Sequence, residues 1–209
     1  QNLVIFFTIC LGFLSISVAA NSSECGLMGY VDQFIGSTGF GFSVGAVSPA
    51  AQIPYGALRV GPDTESSTHD LSFRHFSGYN YKDTTIRAFS HTRLVGAGVP
   101  DLGAFGIMPT RSSLLSLPPH QPPSLVQDED DIPFVDELGS WSSKFGKKSE
   151  SATPGGYSVY LNDPHVQVDV TAISGFAAVH SYAWDDVDGN DDTVPSLVFD
   201  ACHYALSFN

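Results

Sequence analysis

The chain has 209 residues, of which 22 are acidic and 9 are basic, giving a formal net charge of −13. So acidic a surface repels nucleic acid and anionic membranes, which makes both poor partners. The length is enough to bury a hydrophobic core without disulfide bonds. With 15 phenylalanines, 20 glycines and 13 prolines, the composition favours many short strands joined by tight turns. Solubility alone explains the charge, although carboxylates also attract cations.

Residues 1–20 differ from the rest of the chain. Almost every residue from Leu3 to Val18 is apolar, none is charged, and two alanines follow. This pattern predicts a secretory signal peptide, although a basic n-region is missing and the chain starts at Gln1, which indicates an incomplete start. A membrane anchor is the alternative, but the run is shorter than the ~20 residues that a spanning helix needs. We therefore expect the folded domain to occupy residues 21–209.

Secretion would make two further features of the sequence relevant, a glycosylation sequence and the cysteines. Asn21 begins an Asn-Ser-Ser sequence, which is a candidate N-glycosylation site close to the expected cleavage point. Of the three cysteines, Cys10 lies in the signal segment, while Cys25 and Cys202 lie outside it. An oxidising compartment permits a Cys25–Cys202 disulfide. The alternative is two unpaired thiols, or partners elsewhere in the polypeptide.

Three clusters rich in glycine and polar residues follow in chain order. The first covers residues 31–42, the second residues 53–64 and the third residues 77–101. The first cluster is neither a P-loop, because no Gly-Lys-Ser/Thr follows, nor a dinucleotide fingerprint, because no helical pattern follows. In the third cluster, His91, Arg93 and Asp101 lie near aromatic residues, and a sugar site needs charged groups for hydroxyls and an aromatic ring for the apolar face. The alternative is a structural histidine beside an Arg93–Asp101 surface pair.

Alternating apolar residues predict strands rather than helices after residue 25. A turn signal at Asn162-Asp163-Pro164 predicts a hairpin between two of these strands. The set points to an all-β fold, a large β-sandwich. The predicted strands are residues 57–60, ending before Pro62; 104–108, ending at Pro109; 157–161; 166–170; 177–182; and 196–200.

Two acidic segments are interpreted as surface loops. Residues 112–137 contain two Pro-Pro pairs and the run Asp-Glu-Asp-Asp, which oppose a strand. Residues 185–192 superficially resemble a calcium loop, but they lack the closing Glu and flanking helices of an EF-hand.

Taken together, the clusters resemble the N-terminal domain of glycoside hydrolase family 92. The family patterns V-D-P-F-I-G-T-G-G, V-P-F-G with S-P-D, and G-Y-x-Y-x-D with F-S-H-T-H-L-S-G-T-G correspond to residues 31–39, 53–63 and 78–98. Residues 150–159 resemble a further pattern, S-x-E-x-A-x-P-G-Y-Y-x-V. The resemblance runs from about Val31 to the end of the chain. Several motifs in the right order make it specific.

This resemblance implies a calcium-dependent α-mannosidase that removes mannose from N-glycans with inversion. The predicted signal peptide adds the expectation that the protein is secreted or lies in the lumen of the secretory pathway. Inversion needs a carboxylic acid and a carboxylate base, which in the family lie in a C-terminal (α/α)₆ barrel, as do most calcium ligands. That barrel is absent from this sequence, so we assign no catalytic or metal-binding residue here. The barrel of the same polypeptide and mannose-containing glycans are the expected partners. The sandwich is expected to supply one wall of the sugar pocket, with the candidate contact residues Gly39, Asp63, His91, Arg93 and Asp101.

Some positions depart from the family patterns. Arg93 stands where a second His is usual, Gln33 replaces Pro, Phe40 replaces a small residue, and Ala104 stands where many members carry Asp. These differences bear on linkage specificity rather than on the fold. Two alternatives remain: a free-standing carbohydrate-binding sandwich, and an extracellular structural module without a ligand. A sandwich separated from its barrel should also expose an apolar surface and tend to associate.

Overall fold

The computed structural model describes residues 2–6, 28–39, 45–65, 75–93, 103–113, 141–186, 193–201 and 203. These residues form two antiparallel sheets and two short 3₁₀ helices, Met28–Tyr30 and Lys147–Ser149, with no α-helix among them. The strands are β1 (Asn2–Phe6), β2 (Gly61–Glu65), β3 (Thr85–Ser90), β4 (Gly106–Ser113), β5 (Ser143–Lys144), β6 (Ser151–Thr153), β7 (Gly156–Leu161), β8 (Val166–Ser174), β9 (Ala177–Trp184) and β10 (Thr193–Asp200).

The first sheet has the strand order β1-β9-β8-β7-β6. Its central strands alternate between buried and half-buried or exposed positions because successive side chains in a strand point to opposite faces. Val166, Val168 and Val170 of β8 are all fully buried. Burying each valine contributes about 1.5–3 kcal/mol relative to leaving it exposed. This alternation is what fixes the register of the sheet.

The second sheet has the order β10-β4-β3-β2, and β5 pairs with the part of β3 that starts at Thr85. Ile86 and Phe89 of β3 and Ile107 and Met108 of β4 join the valines of the first sheet in one hydrophobic cluster. The chain passes between the sheets just after β5, where Phe145 forms a bridge to Leu161 of β7. The predicted all-β sandwich is confirmed.

Most of the predicted strands are present. The hairpin is confirmed, because β7 pairs with β8 from Gly156↔Thr171 to Leu161↔Val166. The strand predicted at 177–182 is the first part of β9, and the strand predicted at 196–200 is the last part of β10. Of the two predicted acidic loops, residues 114–137 and 187–192 lie outside the described residues, while 185–186 follow β9 without forming a strand.

Two predicted strand boundaries were wrong. Residues 57–59 form no strand, Val60 makes only a bridge to Ala51, and β2 begins at Gly61 and runs through Pro62. Similarly, β4 begins at Gly106 and continues past Pro109 to Ser113, into the segment interpreted as a loop. Proline is tolerated there because β3 pairs with β4 only at Ile107, so at Pro109 the ladder runs to β10 alone.

The N-terminal segment takes part in the first sheet. β1 pairs antiparallel with β9 over five positions, from Asn2↔Ala183 to Phe6↔Val179. β1 lies inside the segment that the sequence predicts to be a signal peptide, and that assignment stays a prediction. None of the described residues forms a helix with the length and hydropathy that a membrane span requires.

Candidate functional site

Loops of the second and third clusters meet the β8–β9 turn at one end of the sandwich. The amides of Ala57 and Leu58 donate to the Gly175 carbonyl in the β8–β9 turn, at 2.8 and 3.0 Å. On the other side, the Arg59 amide donates to the His91 carbonyl at 3.2 Å. The first contact requires glycine, because a Cβ atom on Gly56 would lie 2.8 Å from the Cα atom of Gly175. Sequence-distant motifs are thus held side by side by backbone hydrogen bonds.

This end of the sandwich exposes large apolar side chains. Tyr55 and Phe176 lie in loops already joined at Gly175, together with exposed Ile173. Phe105, 62% exposed, lies in the loop beside His91. Tyr55 and Phe105 have positive φ angles of 62° and 60°, a backbone conformation that bulky residues rarely adopt. Such strain persists only where the surrounding structure enforces it, and it clusters at functional sites.

His91 begins a chain of hydrogen bonds that runs into the core. Its Nδ1 lies 2.8 Å from the Phe105 carbonyl oxygen, and its Nε2 lies 3.0 Å from Nε2 of His180 on β9. The other nitrogen of His180, Nδ1, lies 2.9 Å from the Tyr182 hydroxyl, which is fully buried. Burial lowers the pKa of His91, and burial together with the neighbouring His91 lowers the pKa of His180 to about 3. Both imidazoles are therefore neutral at physiological pH.

Arg93 and Asp63 form a buried ion pair beneath the same end. The Arg93 guanidinium donates to the Asp63 carboxylate, to the Gly61 carbonyl and, at 2.9 Å, to the Ser77 carbonyl. His203 approaches the second carboxylate oxygen of Asp63 at 2.7 Å. Burial lowers the pKa of Arg93, while Asp63 opposes that shift. The pair ties β2 to the motif loops rather than facing solvent.

The remaining candidate contact residues are distributed as follows. Gly39 is half-buried at the end of the described part of the first cluster. That cluster is tied to the third by the Tyr81 amide, which donates to the Ser37 carbonyl at 3.2 Å. The structure thus brings His91, Arg93 and Asp63 into one region. Asp101, the glycosylation candidate Asn21 and the disulfide candidates Cys25 and Cys202 lie outside the described residues, and their roles stay predictions.

A second polar cluster joins the third motif to the last one. Glu150, whose side chain is fully buried, accepts hydrogen bonds from the hydroxyls of Tyr79 and Tyr157, both at 2.7 Å. Lys147 pairs with the same carboxylate at 3.1 Å, and its ammonium group lies 4.9 Å from the Tyr81 ring centroid. Burial and Glu150 raise the pKa of both Tyr79 and Tyr157. This carboxylate stabilises the domain and is not available for proton transfer to a ligand.

The sequence did not single out several residues of the site. His180 and Tyr182 occupy buried positions of an alternating strand, so a periodicity argument assigns them only to the core. Phe105 was included in a predicted buried strand, but it precedes β4 and is exposed. Phe105 differs from the predicted strand because its backbone φ angle is positive, and the pattern of apolar side chains gives no information about that angle. The one sequence signal that could have identified His180 and Tyr182 is their His-x-Tyr pattern, because residues two apart in a strand lie on the same face and can contact each other.

The described residues show no group of three or more His, Cys, Asp or Glu side chains placed to hold a metal ion. The buried carboxylates in this part of the chain are already paired: Asp63 with Arg93 and His203, Asp83 with His75, and Glu150 with Lys147. These residues do not fit a calcium site.

Comparisons with known proteins bear on the origin of this arrangement. A family model described as the glycosyl hydrolase family 92 N-terminal domain matches residues 30–208. The fold is similar to that of a family GH92 α-mannosidase from Bacteroides thetaiotaomicron, with a TM-score of 0.64 and 28% identity over 86% of this chain and 21% of that chain. The structure of that enzyme in complex with mannoimidazole matches with the same TM-score and identity, covering 86% of this chain and 20% of that chain.

A second GH92 family glycosyl hydrolase matches with a TM-score of 0.57 and 25% identity over 85% of this chain and 21% of that chain. Comparison with curated protein sequences gives no significant match. The chain spans about a fifth of the length of the solved enzymes that it matches. The family match covers most of the chain and agrees with the motifs, the two antiparallel sheets and the solved relatives. The chain therefore belongs to glycosyl hydrolase family 92 and carries the N-terminal domain of that family.

Proposed function

We propose that this chain is the β-sandwich domain of a secreted, calcium-dependent α-mannosidase that acts on the mannose residues of N-glycans with inversion. In this proposal the sandwich end around His91 forms one wall of the sugar pocket. The observation that supports it is the convergence of the family motifs on one end that exposes aromatic side chains. Aromatic rings suit the weakly apolar face of a sugar. The similarity to an α-mannosidase structure supports the substrate class.

The proposal assigns this domain a binding role and leaves the acid and base to another part of the polypeptide. An inverting glycosidase places its two carboxyl groups ~6.5–9.5 Å apart, with room for a water between them. Among the described residues, Glu150 and Asp63 are buried and already hold cations and hydroxyl or imidazole donors. Neither has the access to water that a general base requires.

The experiment uses the full-length polypeptide that contains this domain. Cleavage of a synthetic α-mannoside is followed by proton NMR, and inversion is shown by the β-anomer of mannose as the first product. Activity should fall on treatment with a calcium chelator and return when calcium is added. Release into the medium, followed by N-terminal sequencing, tests secretion. A full-length protein that cleaves no α-mannoside under any of these conditions contradicts the proposed function.

The free-standing carbohydrate-binding sandwich is the second candidate, because the described residues of this domain themselves expose aromatic side chains. A glycan array probed with the 209-residue chain separates the two. Mannose binding by a chain that occurs naturally without a further domain favours the second candidate. Activity found only in the longer polypeptide favours the first.

A further inference from the structure

The hydrogen bonds of His91 leave neither of its ring nitrogens for a ligand hydroxyl. Nδ1 faces the carbonyl oxygen of Phe105, and Nε2 faces His180. A carbonyl oxygen only accepts, so Nδ1 of His91 carries the proton and donates. In the neutral imidazole Nε2 is then an acceptor, which places the proton of His180 on its own Nε2. His91 is thus held between two protein partners.

The same reasoning shows that all the hydrogen bonds in this series run in one donor-to-acceptor direction. With the His180 proton on Nε2, its Nδ1 is an acceptor, and the Tyr182 hydroxyl donates to it at 2.9 Å. Protons are therefore donated outward, from Tyr182 to His180, from His180 to His91, and from His91 to the Phe105 carbonyl. Each neutral imidazole has one donor nitrogen and one acceptor nitrogen. Reversing any one of these hydrogen bonds would therefore make two donors, or two acceptors, face each other. The core tyrosine consequently fixes the tautomer of a histidine at the end of the sandwich.

This chain of hydrogen bonds holds the backbone of Phe105 in place. With φ at 60°, Phe105 adopts a left-handed conformation, which costs of order 1–3 kcal/mol for a residue with a side chain. The hydrogen bond from His91 offsets part of that cost by fixing the carbonyl. The result is that the Phe105 ring is 62% exposed, although the next residue, Gly106, is buried at the start of β4.

We infer that Phe105 contacts the saccharide, through its ring on the apolar face of a mannose unit, and that His91 is a positioning residue that holds Phe105, supported by His180 and Tyr182. This inference rests on the proposed function and deepens it. It replaces the expectation of a direct hydrogen bond from His91 to sugar with contact through an aromatic ring. An aromatic ring against a sugar face adds affinity without needing a free polar group.

The test is a double-mutant cycle in the full-length polypeptide, with KM and kcat measured on a mannose-containing glycan. Phe105→Ala should raise KM by about tenfold with a smaller change in kcat, because it removes a binding contact. Phe105→Trp should retain a KM near that of the wild type. His91→Ala should also raise KM, and the double variant should be no worse than Phe105→Ala alone, because His91 acts through Phe105. Additive effects of the two substitutions would overturn the positioning role.

Two further variants test whether the hydrogen-bond donor at residue 91 is what matters and supply a surface control. In His91→Asn the amide nitrogen takes the place of Nδ1 and keeps a donor for the Phe105 carbonyl, so KM should recover most of the way to the wild-type value. Val194→Ala truncates an exposed apolar side chain of β10 that lies opposite Ser112, at the end of β4 away from Phe105, and should leave KM and kcat unchanged. Thermal unfolding midpoints confirm that every variant is folded before its kinetics are compared.

A measurement independent of activity tests the hydrogen-bond chain itself. The ¹⁵N chemical shifts of the imidazoles should show His91 protonated on Nδ1 and His180 protonated on Nε2, and Tyr182→Phe should alter the His180 signals. The opposite tautomers would overturn the inference even in an active enzyme. Wild-type activity with an unchanged KM in Phe105→Ala would overturn the saccharide contact alone. An inactive wild type with the expected tautomers would overturn the proposed function and the saccharide contact, while supporting the positioning of Phe105.

Discussion

Acidification should destabilise this domain through His180. The His180 side chain is 2% exposed, and burial together with His91 lowers its pKa from 6.5 to about 3. A folded-state pKa below the unfolded value means that the unfolded chain binds a proton first as the pH falls. The stabilisation is therefore complete above pH ~6.5 and is lost progressively as the pH falls from ~6.5 towards ~3. His91 contributes in the same direction, since burial also lowers its pKa.

The size of the effect follows from the two pKa values. One pKa unit corresponds to about 1.4 kcal/mol, so the full shift is worth at most about 5 kcal/mol. Between pH 7 and pH 5 the unfolded histidine goes from mostly neutral to almost fully protonated, while the folded one stays neutral. The free energy of unfolding should fall over that interval by about 2 kcal/mol from His180 alone. Unperturbed Asp and Glu side chains titrate mostly below pH 5, so they contribute little to the change between pH 7 and pH 5.

Urea unfolding of the chain at a series of pH values measures this slope. His180→Gln removes the titrating group, so the variant should be less stable at pH 7 but should lose about 2 kcal/mol less than the wild type between pH 7 and pH 5. Val168→Ala is the control, because it destabilises the core without removing a titrating group and should keep the wild-type slope. A His180→Gln variant with the wild-type slope would refute the assignment of a neutral, buried imidazole.

Three other changes test the packing. Arg93→Met leaves the buried Asp63 carboxylate without its main cation and should reduce the free energy of unfolding by about 3–5 kcal/mol; a loss below 1 kcal/mol by urea unfolding would contradict a buried pair. Gly106→Ala should lower the melting temperature, because a Cβ atom there would lie 2.7 Å from the His203 ring, whereas Gly146→Ala, with nothing within 4 Å, should leave it nearly unchanged. Val168→Ala, in the fully buried centre of β8, should cost about 2–4 kcal/mol in the same urea experiment; an unchanged midpoint would argue against the core position.

The hairpin was predictable because its signals are local. The valines at 166, 168 and 170 alternate, and the turn residues that precede them are contiguous in sequence. By contrast, β3 was not predicted, because Arg87, Ser90 and the following His91 made the segment look like a polar cluster. Arg87 is on the half-buried face of β3, while Ser90 is buried beside the motif loops. A strand that borders a site carries polar residues for the site, and these obscure its periodicity.

The candidate site was predictable as a set of motifs and not as a geometry. The family motifs gave His91, Arg93 and Asp63 as candidate sugar-contact residues; the structure places the three in one region, and their contact with a sugar stays a prediction. Their exposure could not be derived from their residue types. Arg93 is a charged residue that lies buried, and Phe105 is an apolar residue that lies exposed. Both exceptions depend on contacts between residues far apart in the chain, such as Arg93 with Asp63, 30 positions away.

The contact between His203 and Asp63 has a practical consequence for where the domain can be cut. These residues are 140 positions apart, and among the described side chains His203 and Arg93 are the donors to this fully buried carboxylate. An expression boundary placed at the end of β10 would retain every strand of both sheets and still remove the His203 donor. The vacated side of Asp63 would then open to water next to β2, directly under the motif loops. Fragments that end before His203 should thus look folded by circular dichroism yet be more easily cleaved by protease in residues 53–65, whereas fragments that include it should resist.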